Sequence, residues 1–388
     1  MKKIPVIILA FIALSCTNVN SKKLSQNEID SLCRKWVPVE SESICSAKIS
    51  YTTDGKAVLK GETNLDDAKT DLINFVKSSG IDLIDSLTVL PDRSVGEKDM
   101  GLITVSVCNM RRKPAHASEL ISQALMGTPV KILKVNSGWY LVQTPDLYIG
   151  WVDDDAVSLK TAAWIDQWKK SDRVICTAKC GDITDNHGLV VTDFVSGAIF
   201  QTTGKTASGF NVVLPDGREG ILGSGSAEDF RVWASKPAQD AAGLISFGKS
   251  LLGTEYLWGG ISCKGIDCSG FARAIYFSGG MMLTRDASSQ ALYGKDIDIS
   301  KSLSALQPGD LLFFGHVRNG EKVITHVGMY IGNNEVIHSS GMVKINSLDP
   351  SAKNYSKHLH DILQEAKRFL GEPSSKGFVR VKDHNWYF

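Results

Sequence analysis

Apolar positions along this chain fall mostly into short strand-like runs, with helical spacing at only a few places. Ile44 to Tyr51, Thr53-Asp54-Gly55 and Lys56 to Lys60 predict a strand, a turn and a returning strand. Leu65, Ala68, Leu72, Phe75 and Val76 then share one helical face, so a helix is expected from about Leu65 to Ser79, capped by Asn64 and stopped by Gly80. Ile84 to Leu90 reads as a further strand ending at Pro91-Asp92. Residues 25–98 are therefore expected to form a small α/β unit, a spacer or docking element without reaction chemistry.

From about Gly101 to Trp233 the strands are short and broken by Gly, Asp and Asn, and one segment recurs. Gly138-Trp139-Tyr140-Leu141-Val142 followed by Tyr148-Ile149-Gly150-Trp151-Val152 has a counterpart in Gly209-Phe210-Asn211-Val212-Val213 followed by Asp216 to Ile221. Two copies of a small β-barrel, over 99–160 and 161–235, are the natural inference. Their Gly-aromatic and Gly-Trp pairs resemble bacterial SH3 (SH3b) domains, the second copy more weakly. Ser235-Lys236-Pro237 reads as a linker, and a helix from about Gln239 to Leu252 opens a last unit, 236–388.

The amino end has a different pattern. Lys2 and Lys3 precede an apolar run from Ile4 to Leu14, too short to span a bilayer, followed by Ser15 and Cys16. This is the layout of an export signal over 1–15, and Leu14-Ser15-Cys16 resembles a bacterial lipobox. The expectation is a chain acylated at Cys16, tethered through 16–24, lipid-anchored in the cell envelope and facing the periplasm.

Composition narrows the function by exclusion. Lys plus Arg number 43 against 42 Asp plus Glu in 388 residues, so no basic excess points to nucleic acid. The length suggests two to four compact units at roughly 150 residues each. Cys33 with Cys45, or Cys176 with Cys180, could pair in an exported protein; free thiols are equally compatible, as they are for Cys108 and Cys263. Cys-x-x-Cys is absent and the histidines are scattered, so neither a metal nor another cofactor is expected.

Candidate chemistry concentrates near residue 268. Gly253, Gly259 and Gly260 break the chain before Asp267, and Ala272, Ala274 and Ile275 continue as a helix to Gly279-Gly280, which puts Cys268 at a helix start. There the free N–H groups and helix dipole are expected to favour thiolate. Downstream, Ile324 to Ile331 and Glu335 to Ser339 predict a hairpin through Gly332-Asn333-Asn334. His326 and His338 share a face only if that connection is effectively odd in length; a strict two-residue Asn-Asn turn puts them on opposite faces. Catalysis through this pair therefore predicts a bulged or longer hairpin, with His326 as proton acceptor and His338 orienting it.

Tyr256-x-Trp-Gly-Gly, Asp267-Cys-Ser-Gly-Phe271, Leu306-Gln-Pro-Gly-Asp-Leu311, His326-Val-Gly-Met-Tyr-Ile-Gly332 and Val336-Ile-His338 together resemble the NlpC/P60 family of papain-like cysteine peptidases. The resemblance covers about Gln239 to Phe388. It implies an α+β papain-like catalytic domain behind two SH3-like barrels and a small α/β unit, with Cys268, His326 and His338 catalytic and Tyr256 near the oxyanion. Together with the SH3b copies it resembles the D-glutamyl dipeptidases, which cut murein peptides between γ-D-Glu and a diamino acid when L-Ala has a free amine. In them an acidic side chain and a tyrosine of the first SH3b domain receive that amine, at positions matching Glu119 and Tyr148. Contacts to the D-Glu part map onto Asp267, Ser269, Asp286 and Ala287. Lysine or diaminopimelate could follow D-Glu. A monomer acting on soluble murein peptides is the leading expectation. The others are an endopeptidase on intact stems and a non-catalytic wall-binding lipoprotein.

Overall fold

The computed structural model describes residues 23–236 and 240–388; the leader and Cys16 lie outside the described residues. Among the described residues no helix is long and apolar enough to cross a membrane.

Residues 23–36 and 45–88 form one compact unit. Antiparallel strands Cys45–Tyr51 and Ala57–Thr63 are joined by the expected turn, and Leu83–Val89 completes a three-stranded sheet. Helix Asp66–Ser78 buries Ala68, Leu72 and Val76, with Leu65, not Asn64, at its cap position. A second helix, Gln26–Trp36, was not predicted; only Ile29 and Cys33 are buried on it, too few for a legible period. The Cys33 and Cys45 sulfurs lie 2.6 Å apart in this unit.

The second unit takes in 37–44 and everything from residue 89. Two seven-stranded sheets match the anticipated barrels. In the first, Trp139–Gln143 pairs with Ile149–Asp153 so that Leu141 faces Trp151; in the second, Asn211 faces Ile221. Both partners are displaced by 70 residues (141 to 211, 151 to 221), so the sequence repeat is a repeat of register. Segments 37–44 and 89–98 pack with the first barrel rather than with the small unit. The reason is local: the Ile149 N–H donates to Ser41 O, the Asp92 N–H donates to Leu133 O, and Ile44 joins the Leu90, Leu133, Leu141, Ile149 cluster. Cys176 is buried in the second barrel, and the neighbour of exposed Cys180 is Cys263, not Cys176.

The last domain sets helices Ala241–Ser250 and Cys268–Ser278 against a six-stranded antiparallel sheet. Phe271 and Ile275 from the helix meet Phe313, Val327, Met329 and Ile337 from the sheet, all with no exposed surface. Each such side chain contributes about 1.5–3 kcal/mol of burial. This core fixes the helix start against the middle of the histidine strand.

Candidate active site

Cys268 is the first residue of its helix, and Asp267 caps it by accepting from the Gly270 N–H at 2.7 Å. Glycine is required around it: a Cβ at Gly270 would stand 2.2 Å from Gly260 O. The second oxygen of Asp267 accepts from the Gly259 N–H at 2.9 Å. Asp267 is also held by Arg285 through both carboxylate oxygens, at 3.1 and 2.5 Å, and Arg285 donates further to Ser269 Oγ and Ser122 Oγ. All four residues are buried. Asp267 and Ser269 are both engaged in supporting the nucleophile loop, where the buried carboxylate is paired with a buried cation. Arg285 carries little signal in the sequence, where it is a lone cation beside the apolar run Met281–Leu283.

The Cys268 sulfur faces the N–H groups of Ser269 and of Val327, the neighbour of His326. The expected lowering of its pKa does not occur. Burial pushes the thiol up to about 11, Asp267's charge adds to this, and Val327, Arg285 and Ser269 oppose it without prevailing.

The histidine strand Glu321–Gly332 turns into Glu335–Ser340 through Asn333 and Asn334, both at positive φ (+53° and +58°), so the turn itself has two residues. The register breaks between Tyr330 and Gly332, leaving Ile331 as a bulge. That extra residue shifts the face parity, and the two histidines meet: His326 Nε2 lies 2.9 Å from His338 Nδ1. His338 Nε2 is 3.0 Å from Asn346 Oδ1, and Asn346 Nδ2 donates to Asn354 O at 3.2 Å. The amide of Asn346 therefore presents its oxygen to His338 and receives the Nε2 proton. His338 Nδ1 is then an acceptor, His326 Nε2 its donor, and the lone pair of His326 is left on Nδ1. Asn346 gives no signal in the sequence, being an asparagine on the strand Met342–Ser347. Burial, then His338, His358 and Lys344, pull the His326 imidazole down to about 3, so it is neutral at rest.

Tyr256 is half-buried, with its N–H on Gly341 O; burial, then the Cys268 and Asp267 charges, raise its phenol to about 12, keeping it a proton donor. Farther along, Tyr148 and Glu119 do not share one free point. The Tyr148 hydroxyl donates to Asp286 Oδ1 at 3.4 Å, and Ser41 Oγ donates to Oδ2 at 2.9 Å. Glu119 is exposed and engaged by Arg112 Nε at 2.6 Å and Trp258 Nε1 at 3.1 Å. The guanidinium of Arg112 faces Glu119 and, more weakly, Tyr148 and Asp286. Ala287, buried, begins the short helix Ala287–Gln290 and brings no polar side-chain atom. A cavity of about 780 Å³ lies here, bordered by Tyr148, Asp286, Arg112 and Ile324.

Residues 253–364 match the NlpC/P60 family, and residues 110–157 match the bacterial dipeptidyl-peptidase Sh3 domain. The chain is 39% identical over 130 residues to a gamma-D-glutamyl-L-lysine dipeptidyl-peptidase of Bacillus cereus, covering 34% of this chain and 38% of that protein. Its Bacillus subtilis namesake is 43% identical over 99 residues, covering 26% and 32%. These two matches thus span only about a third of each relative. Dipeptidyl-peptidase 6 of Lysinibacillus sphaericus is 27% identical over 282 residues, covering 66% of this chain and 95% of that one. Among solved structures, an NlpC/P60 family protein of Bacillus cereus has a TM-score of 0.62 at 24% identity, covering 70% of this chain and 99% of that one, a likeness of fold.

Proposed function

We propose that this chain, which carries an NlpC/P60 domain and a bacterial dipeptidyl-peptidase SH3 domain, is a cysteine peptidase that hydrolyses the bond between γ-D-Glu and a diamino acid in murein peptides with a free amino-terminal L-Ala. The observation that carries the reading is the chain Asn346, His338, His326, which leaves an unprotonated ring nitrogen of His326 on the strand whose next N–H faces the Cys268 sulfur.

In this reading His326 Nδ1 takes the thiol proton as the sulfur attacks the γ-carbonyl carbon of D-Glu. The oxyanion forms between the Tyr256 hydroxyl and N–H groups at the helix start. His326 returns the proton to the departing amine, leaving a thioester. A water that gives its proton to His326 then cleaves that thioester and releases L-Ala-γ-D-Glu. The acidic groups at the far end, Glu119 and Asp286 with Tyr148, would hold the substrate ammonium by charge-assisted hydrogen bonds, which an amide cannot form. Glu119 must then exchange or share Arg112. Export and lipid attachment at Cys16 complete the proposal and are tested by mass spectrometry of the mature amino terminus in the native chain and in Cys16→Ser.

The decisive experiment is mass spectrometry of products from L-Ala-γ-D-Glu-L-Lys and its diaminopimelate analogue. The dipeptide should form with the native chain and not with a folded Cys268→Ala variant. Undiminished hydrolysis by that variant would remove the cysteine from the reaction. Cleavage of intact stems at the same rate would favour the endopeptidase reading.

A further inference from the structure

The segment 37–44 belongs to the same compact unit as the barrels and the NlpC/P60 domain, although it runs between two parts of the small unit in sequence. Its backbone is tied to the strands flanking Tyr148: the Ile149 N–H donates to Ser41 O at 2.8 Å, and Gln143 Nε2 donates to Glu42 O at 3.0 Å. Pro38, Val39, Glu40 and Ser41 line the cavity that Asp286 and Tyr148 border. From that wall Ser41 Oγ reaches the Asp286 carboxylate at 2.9 Å, on the oxygen that Tyr148 does not use.

The same segment brings a second carboxylate. Glu42 is only 6% exposed. One of its oxygens is buried without a hydrogen-bond partner among the described residues. Besides Asp286 its charge meets Lys376, Asp146 and the Ser289 hydroxyl, and burial raises both Glu42 and Asp286 above the usual carboxylate range. Asp286 also meets the charges of Arg285 and Asp267, and Glu42, behind the lining residues, adds its charge to that of Asp286 for a cation that arrives in the cavity.

We propose that segment 38–42 is the element that limits the cleft at the substrate's amino end. It forms the wall behind Asp286, Ser41 orients that carboxylate toward an α-ammonium, and Glu42 adds negative charge beneath it. A peptide that ends in a free amine fits against the wall; one extended or acylated there meets the segment instead. This rests on the reading given under Proposed function and makes selectivity for a free amine a property of the linker as well as of the first barrel.

The test compares L-Ala-γ-D-Glu-L-Lys with its Gly-extended and N-acetylated forms, using the full chain, Ser41→Ala, Ser41→Thr and a triple variant, Val39→Gly with Glu40→Gly and Ser41→Gly. Melting temperatures are recorded alongside. Ser41→Ala should raise KM for the free peptide about tenfold, the size of one hydrogen bond to a charged group, with kcat held within about twofold. Ser41→Thr, which keeps the hydroxyl, should restore KM. In the triple variant the ratio of kcat/KM for free over Gly-extended peptide should fall at least about tenfold. If the native chain discriminates and Ser41→Ala and the triple variant discriminate as strongly, the segment has no such role and the peptidase reading stands. If the native chain cuts free and extended peptides equally, or cuts neither, the linker proposal falls together with the reading it rests on.

Discussion

At Cys268 two physical effects oppose each other, and burial wins. The helix start and the Val327 N–H favour thiolate, but loss of hydration and the neighbouring Asp267 charge hold the proton on sulfur up to about pH 11. The resting site then holds a neutral thiol and a neutral imidazole, and in the proposed mechanism the proton moves only as sulfur attacks. Alkylation of Cys268 by iodoacetamide should therefore keep accelerating as the pH is raised from 7 toward 11; a plateau already reached near pH 5 would mean a preformed ion pair. Asn346 acts one step further back. Asn346→Ala removes the acceptor that fixes the His338 proton, so kcat should drop by at least about tenfold with KM unchanged, because the wrong tautomer turns the lone pair of His326 away from the thiol.

Among the elements, the hairpin depends on one extra residue and one missing side chain. Ile331, bulged, corrects the face parity that the two-residue Asn333-Asn334 turn would otherwise set wrongly. Gly328 lies opposite the pair, where a Cβ would come within 2.5 Å of Val336 Cγ1 and 3.0 Å of His338 Cβ. Gly328→Ala should cost about 1–3 kcal/mol in chemical denaturation and lower kcat together with it. The nucleophile loop depends instead on its buried ion pair. Arg285→Met leaves the Asp267 carboxylate without its cation, an expected loss of about 3–5 kcal/mol, far more than a surface pair would cost.

Over the whole molecule, protons excluded from buried histidines weaken the fold in acid. The folded chain binds no proton at His326 until about pH 3, whereas an unfolded histidine binds one near 6.5. A depressed histidine pKa means the unfolded state takes up the proton first. The contribution is therefore intact above about pH 6.5 and is lost as the pH falls toward 3, at up to about 1.4 kcal/mol per unit. His338 and His384 are shifted in the same direction, mainly by burial. Urea midpoints measured from pH 7 to 4 should fall steeply in the native chain, and less steeply, by about one proton, in His326→Gln.

Much of this architecture was legible in local order. Periodicity located the helix now seen at Asp66–Ser78 and the strands around it, the repeated Gly-aromatic pairs located two barrels in equivalent register, and glycines flanking Asp267 and Cys268 located the helix start. Those features are written in neighbouring residues, whose backbone preferences act over a few positions. The face shared by His326 and His338 could be posed from the sequence only as a condition on the loop, and the bulge met it. What the tertiary structure alone decided are the matters of long-range proximity. Arg285 takes up Asp267 and Ser269, Asn346 orients His338, and Ser41 reaches Asp286 across 245 positions of chain. The same holds for the thiol's proton, because desolvation depends on everything packed around a sulfur and on nothing that its neighbours in sequence reveal.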